Sequence, residues 1–311
     1  MPARADAFQA PPRALKSKGN QTMTQARRIG HATFETPDLE REIDHWLNVA
    51  GLVLVERDSK HAYFATKVGQ LAVELHDGPM SQCTGLSFEI SPSTDFGRLR
   101  QDLAAKGIAS VLCNDTAPGL PQTLAIEDNK GTKIQLFSRW NYLGDHHQVA
   151  GIGPLKLGHV AFVTPDVQAV TRFYEQVLGF RISDWIGDYF SFMRCGPDHH
   201  TVNFVRGERT QLAHIAFEAK DMSHIAGACD LLGQRNIPLT WGPVRHGPGH
   251  NVSVYHQDPD LNTIEFYIDL DQMKDEELGY FEPRPWHRDL PQRPKVWAND
   301  ASQIWGLRRQ H

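Results

Sequence analysis

Short runs in which apolar and polar positions alternate recur along most of the chain, each set broken by one stretch of helical period. The clearest set begins at residue 159, where HVAFVT alternates as a half-buried strand does. Thr164-Pro165-Asp166 then opens a helix, proline suiting an early helical position and aspartate the positive helix end. Val167, Val170, Phe173, Tyr174 and Val177 follow at helical spacing, and Gly179 supplies the stop. Three strands are predicted next, FRISDWIG, DYFSFMRC and HTVNFVRG. A second unit starts at LAHIAFEA, carries a helix in DMSHIAGACDLLGQRN and ends in hairpins. The predicted order is β-α-β-β-β, twice over.

The same succession occurs earlier in the chain. GHATFETPD at 30–38 answers GHVAFVTPD at 158–166, and AGLVLVERD at 50–58 answers LGFRISDWI at 178–186, both at an offset of 128. LSFEI at 86–90 then matches IAFEA at 215–219, KGIASV at 106–111 resembles RNIPLT at 235–240, and DNKGTKIQLF at 128–137 matches DPDLNTIEFY at 258–267 at an offset of 130. A drift of this size is what small loop changes produce. An internal repeat of this kind governs the fold and is sought first. The predicted class is α+β: two tandem modules, each of two βαβββ units. The expected divisions are a tail at 1–26, a first module at 27–140, a second at 141–270 and a C-terminal strap at 271–311.

Composition narrows the function. The chain has 311 residues, enough for two domains, with 40% hydrophobic residues and a formal net charge of -5. Nucleic-acid binding usually needs a basic face, so no nucleic-acid partner is expected. Cys83, Cys113, Cys195 and Cys229 form no CxxC pair, which points away from zinc knuckles and redox motifs and fits a reducing, cytoplasmic setting. No apolar run suggests a membrane helix. Residues 1–22, rich in Pro, Ala and basic residues, lack the apolar core of a signal peptide; they read as a disordered tail or as an extension before a start at Met23.

The two copies differ where chemistry would sit. His159 answers His31, but His214 answers Gly85 and Glu265 answers Gln135. Each of the three residues of the second copy has a bland structural reading when taken alone. Glu265 is the most telling, because strand alternation sets it opposite Ile264 and Phe266, and a carboxylate inside a sheet is costly unless paired or bound to a cation. Two imidazoles and one carboxylate leave open positions on an octahedral ion, the donor set of non-haem Fe(II) oxygen chemistry. Zinc cannot change oxidation state, so iron is expected, with Mn(II) accepting the same ligands. The first copy, keeping one of the three, is expected to be structural.

The paired units, with this donor set in the second copy, resemble the vicinal-oxygen-chelate superfamily, and in particular the two-domain extradiol ring-cleaving dioxygenases. The resemblance covers residues 28–270. It implies a cup-shaped sheet in each module, metal ligands His159, His214 and Glu265, O2 as co-substrate, a catechol-type aromatic diol as substrate, a ring-opened semialdehyde as product and a homo-oligomeric assembly. It further implies three catalytic residues. An acid–base histidine falls at His199, the first residue of a His-x-Thr that such relatives share (here His199-His200-Thr201), the alternation of HHTVNFV setting His199, Thr201 and Asn203 on one face, with adjacent His200 as the alternative. A loop histidine over the site falls at His246, with His250 competing. A tyrosine that stabilises a deprotonated substrate hydroxyl falls at Tyr255. Relatives acting on catechols with a carboxylate side chain carry an arginine where this chain has Trp241, which favours a neutral or flat aromatic, although Arg245 and Arg194 could supply charge.

Rival readings stay open at this point. Glyoxalases and hydroxyphenylpyruvate-type dioxygenases share the superfamily, but the former divide ligands between modules and the latter lack the His199, His246 and Tyr255 set. A metal-free protein that sequesters an aromatic compound has no need of the triad. The Pro- and Trp-rich stretch GYFEPRPWHRDLPQRPKVWANDASQIWG is expected to cover the cup mouth, to reach a neighbouring subunit or to be a plain surface strap.

Overall fold

A computed structural model describes residues 23–144, 149–299 and 301–306. The expectation of a disordered tail therefore falls mostly outside the described residues. The first βαβββ unit comprises β1 (Arg28–Thr36), α1 (Leu39–His45), continued by a π-helical turn over Trp46–Ala50, then β2 (Val53–Arg57), β3 (His61–Ala65) and β4 (Leu71–Asp77). The second comprises β5 (Gln82–Glu89), α2 (Phe96–Ala105), β6 (Val111–Ala117), β7 (Leu120–Glu127) and β8 (Lys133–Phe137). The second module repeats this as β9 (Lys156–Thr164), α3 (Val167–Leu178), β10 (Arg181–Ile186), β11 (Phe190–Arg194) and β12 (Val202–Arg206), then β13 (Gln211–Glu218), α4 (Met222–Gln234), β14 (Trp241–Arg245), β15 (Val252–Gln257) and β16 (Thr263–Ile268). Each helix starts as the sequence indicates. Asp38, Asp95, Asp166 and Asp221 are N-caps whose carboxylates accept the backbone N–H three residues on, so Asp166 is the cap itself. Gly179 ends α3 in the left-handed conformation at φ 69°.

Each module forms one mixed sheet. The first has the order β2-β3-β4-β1-β5-β8-β7-β6; the second repeats it as β10-β11-β12-β9-β13-β16-β15-β14. Within a module the leading strands of its two units lie antiparallel at the centre, and each pairs in parallel with the last strand of its own unit. The curled arrangement is the cup-shaped fold expected, with the central strands lining it. One face of each sheet packs under the helices into a core that runs through both modules and includes Phe34, Trp46, Phe88, Phe162, Tyr174 and Phe217. No helix among the described residues is long and apolar enough to cross a membrane.

The strap uses both free edges of the second sheet. β17 (Lys295–Trp297) pairs in parallel with β10, and β18 (Trp305–Gly306) pairs with β14. One segment thus reaches both rims of the same cup and protects edges that would otherwise carry unpaired backbone groups.

Candidate metal centre

The centre of the second sheet brings three side chains together from three adjacent strands. Register sets Ala216 of β13 beside both His159 of β9 and Glu265 of β16, while His214, two residues earlier on β13, faces the same way. Nε2 of His159, Nε2 of His214 and Oε2 of Glu265 are each 3.2 Å from the other two. Bonds of about 2.0–2.2 Å, the usual metal–imidazole and metal–carboxylate lengths, span such a triangle from one common point. The donor chemistry fits as well: two imidazole nitrogens and one carboxylate oxygen converge with only one negative charge among them. The side chains of His159 and Glu265 are 1% exposed and that of His214 is 16% exposed, so the centre opens at His214.

Glu265 is held in its ionised form. Burial pushes its carboxyl pKa up, but the imidazoles of His159 and His214 override this and leave it well below the ordinary carboxylate range. Its second oxygen, Oε1, accepts from Asn251 Nδ2 at 3.0 Å and from Ser253 Oγ at 2.6 Å. That arrangement commits Oε1 to the protein and leaves Oε2 for the centre. Asn251 and Ser253 were not foreseen. The signal was present for Ser253: on β15 it shares a face with Tyr255, which lies opposite Glu265, so it is a polar residue turned inward on a buried strand.

His246 and Tyr255 are brought to the same rim. Nδ1 of His246 lies 2.8 Å from the Ser302 carbonyl of the strap, which can only accept, so Nδ1 carries the proton. Nε2 is then an acceptor and takes the Tyr255 hydroxyl at 2.8 Å. The Tyr255 ring stands 5.8 Å from that of His214 and stacks on Trp241 at 5.1 Å. Burial lowers the His246 pKa, with Glu265 acting in the opposite direction.

The expectation for His199 needs correction. His200, not His199, lies against the triad, its ring centroid 4.3 Å from that of His159. His199 has both nitrogens turned elsewhere, Nε2 to Asp184 Oδ2 at 3.0 Å and Nδ1 to His200 Nδ1 at 2.9 Å. The reason is local. β12 begins at Val202, and residues 199–201 form a bend pinned by His199 N–H to Asp271 O and Thr201 N–H to Met193 O, so strand alternation does not extend to them. Burial first, then the imidazoles of His159, His199 and His214, push the His200 pKa well below its ordinary value. His250 is directed away from the triad. Its Nδ1 bonds Asp271 at 2.7 Å, and the other oxygen of Asp271 takes His287 Nε2 of the strap at 2.8 Å, a buried His–Asp–His cluster.

Comparison with known proteins agrees with this geometry. Residues 156–266, which contain the whole triad, match the Glyoxalase/Bleomycin resistance protein/Dioxygenase superfamily. The second module is a domain of that superfamily. Curated relatives of the superfamily extend the likeness to both modules. The chain is 26% identical over 264 residues to metapyrocatechase 2 of Cupriavidus necator, covering 78% of this chain and 81% of that protein. It is 23% identical over 278 residues to an iron-dependent extradiol dioxygenase of Rhodococcus jostii (strain RHA1), covering 80% and 91%. The Mn(II)-bound glyoxalase from Novosphingobium aromaticivorans superposes with a TM-score of 0.80 at 22% identity over 92% of this chain and 93% of that one, a likeness of fold. The fold of both modules is thus shared along nearly its whole length with that glyoxalase.

Proposed function

We propose that this chain is an extradiol dioxygenase that opens the ring of a catechol-type substrate with O2 at one divalent iron held by His159, His214 and Glu265. The convergence of three donor atoms at mutual distances of 3.2 Å, ringed by His200, His246 and Tyr255, carries the reading. The kinship with metapyrocatechase 2 and with an iron-dependent extradiol dioxygenase supports the reaction class. A redox-active Fe(II) supplies there what side chains cannot, an electron path between a singlet diol and triplet O2 and a positive charge that favours the ionised diol.

The protein's own groups account for the rest. Tyr255, whose one hydroxyl hydrogen goes to His246 in the free site, turns that hydrogen to a substrate oxygen left without its proton. His246 offers a hydrogen bond acceptor whose orientation the strap fixes through Ser302. His200 takes the acid–base role that the resemblance assigned to its neighbour, since it is the histidine in contact with His159. Both oxygen atoms of O2 enter the product, a ring-opened semialdehyde or its ketone analogue.

The arginines that could attract an anionic tail are committed. Arg194 is buried and bonds Glu276 through Nε and Nη2, the Ile182 carbonyl and Ser183. Arg245 donates to the His250 carbonyl and to Asp269 and lies over the Trp286 ring at 4.3 Å. With Trp241 stacked on Tyr255, these contacts support a neutral, flat aromatic diol as substrate.

The test is anaerobic loading with Fe(II), then catechol, 3-methylcatechol and 2,3-dihydroxybiphenyl in air, read by the yellow ring-opened product. Colour that vanishes in Glu265→Gln and His214→Ala establishes the reaction. Loading with Mn(II) in parallel decides the metal. Bound metal without colour on any diol, together with turnover of a glyoxalase substrate, would overturn the dioxygenase reading.

A further inference from the structure

Behind His200 runs a chain of buried groups with no direct contact to the triad. His199 Nδ1 lies 2.9 Å from His200 Nδ1, and His199 Nε2 lies 3.0 Å from Asp184 Oδ2. His199 and Asp184 are both wholly buried. Asp184 is also held by the strap: Oδ1 accepts the Lys295 backbone N–H at 2.9 Å and Oδ2 accepts the Trp297 indole N–H at 2.5 Å. An amide and an indole N–H can only donate, so both oxygens of Asp184 are committed as acceptors. The nitrogen of His199 that faces them must then donate.

This settles the proton positions along the chain. With its proton on Nε2, neutral His199 presents a lone pair at Nδ1. The short contact between the two Nδ1 atoms needs one donor, and only His200 can supply it. His200 is thereby left with its lone pair on Nε2. The same logic operates where a buried aspartate sets the tautomer of a catalytic histidine.

We propose that Asp184 and His199, locked by the strap residues Lys295 and Trp297, are positioning residues that hold His200 in the Nδ1–H tautomer, so that its Nε2 is the proton acceptor at the metal centre. The proposal rests on the dioxygenase reading for its catalytic meaning but not for its structural content. The strap thus contributes to the centre from both sides, through Ser302 on His246 and through Trp297 and Lys295 on Asp184.

The decisive measurement is long-range proton–nitrogen NMR on the full chain with nitrogen-labelled histidine, recorded before metal loading. The expected spectrum shows His200 protonated at Nδ1 and unprotonated at Nε2, and His199 the reverse. Asp184→Asn places an amide donor among obligate donors, and His199→Phe keeps a ring but removes the acceptor. In each, the Nδ1–H form of His200 should lose its dominance. The iron-loaded variants should lose about 10- to 100-fold in kcat with KM nearly unchanged, part of what a positioned acid–base group contributes. A His200 protonated at Nε2, a doubly protonated His199, or an unchanged His200 tautomer in the variants would overturn the proposal. If Asp184→Asn fails to fold, His199→Phe decides alone. The expected spectrum in a chain that cleaves no diol would instead leave the positioning intact and remove the dioxygenase reading.

Discussion

The two modules place a histidine at the same point of the same cup and then treat it differently. In the first, His31 Nδ1 bonds Ser87 Oγ at 2.8 Å while Nε2 faces Glu74 Oε2 at 3.2 Å. Glu74 comes from β4, on the opposite side of the central strand from the position of Glu265, and its oxygens also take Thr33 Oγ1 at 2.9 Å and His76 Nε2 at 2.7 Å. Burial pushes the Glu74 carboxyl pKa up, yet the imidazoles of His31 and His76 hold it well below the ordinary range, as their counterparts do for Glu265. In the second module Ala216 replaces Ser87, and the partners of His159 are a second imidazole and a carboxylate, all presenting one atom to one point. A buried carboxylate beside an imidazole is therefore not what makes a metal centre. In the first module Thr33 and His76 occupy the oxygens of the carboxylate, whereas in the second three donor atoms converge on one point that could hold a cation.

Neutralising the two carboxylates separates these cases most sharply. Glu265→Gln should lower metal affinity by more than the roughly 100-fold upper range for loss of an outer partner, and abolish turnover. Glu74→Gln should leave metal content and kcat/KM within about twofold while costing roughly 3–5 kcal/mol of stability, the scale of removing one partner of a buried ion pair. Metal analysis and denaturant unfolding of both variants make the comparison. Loss of metal from Glu74→Gln would show that the first cup supports the centre after all.

A smaller effect is expected one step out from the triad. Ser253→Ala removes the shorter of the two hydrogen bonds to Glu265 Oε1 while Asn251 retains the other. Metal affinity should fall about 10-fold, at the lower end for such partners, measured by competition with a chelator. By contrast, Ser87→Ala in the first module, where Ser87 holds His31 rather than a carboxylate, frees His31 Nδ1 and should change stability without changing metal affinity.

Next in size is the glycine that precedes each histidine. A Cβ on Gly158 would lie 1.9 Å from the Tyr267 hydroxyl, and one on Gly30 would lie 2.6 Å from the ring of Phe137, the equivalent residue. Gly158→Ala should cost about 1–3 kcal/mol as overpacking, with Tyr267→Phe in the same chain recovering part of it, because the clash is with the hydroxyl. A Cβ on Gly30 meets the Ser87 hydroxyl first, at 2.4 Å, so Gly30→Ala should be relieved in part by Ser87→Ala in the same chain and not by any change of hydroxyl at Phe137, which has none. Thermal unfolding of the four variants tests both statements.

Which of these features could be read from residues alone follows from how local their causes are. The repeat and the strand and helix periods gave the architecture, because alternation and capping act within a few residues. Glu265 was legible because a carboxylate between Ile264 and Phe266 violates an otherwise apolar strand. His199 was preferred to His200 because the His-x-Thr match and strand alternation were carried past the start of β12 into a bend held by the Asp271 and Met193 carbonyls, where His200 is the one beside His159. Asp184, Asp271 and His287 escaped notice for a similar reason: their partners lie on opposite sides of the chain, and nothing near them announces a buried carboxylate with strap donors.

The contact between modules offers the last test, because the repeat makes it reciprocal. Near α3 the first module's end of the contact places Phe173 and Ile126 at positions that are His45 and His256 in the other half. The latter two meet with Nε2 atoms 3.3 Å apart, both buried, beside Asp44 and the acidic set Glu42, Asp258 and Asp260. Burial lowers the pKa of His45 from 6.5 to about 4 and that of His256 to about 3. Groups whose folded pKa is depressed stabilise the fold fully above their unfolded pKa and lose that contribution as pH falls, here between 6.5 and about 3. Glu42 and Asp258 act with the opposite sign, since burial raises them to about 9 and about 7 and their contribution is lost as pH rises. Comparing the wild type with the double variant His45→Phe, His256→Ile at each pH cancels much of the carboxyl part. The wild type should lose about 6 kcal/mol more than the variant between pH ~7 and pH ~4, about half from each imidazole, read from denaturant midpoints. A difference that does not change with pH would mean that the imidazole pair titrates in the folded chain as it does in the unfolded one, and that the two halves of the contact, apolar and imidazole, are alike in their response to acid.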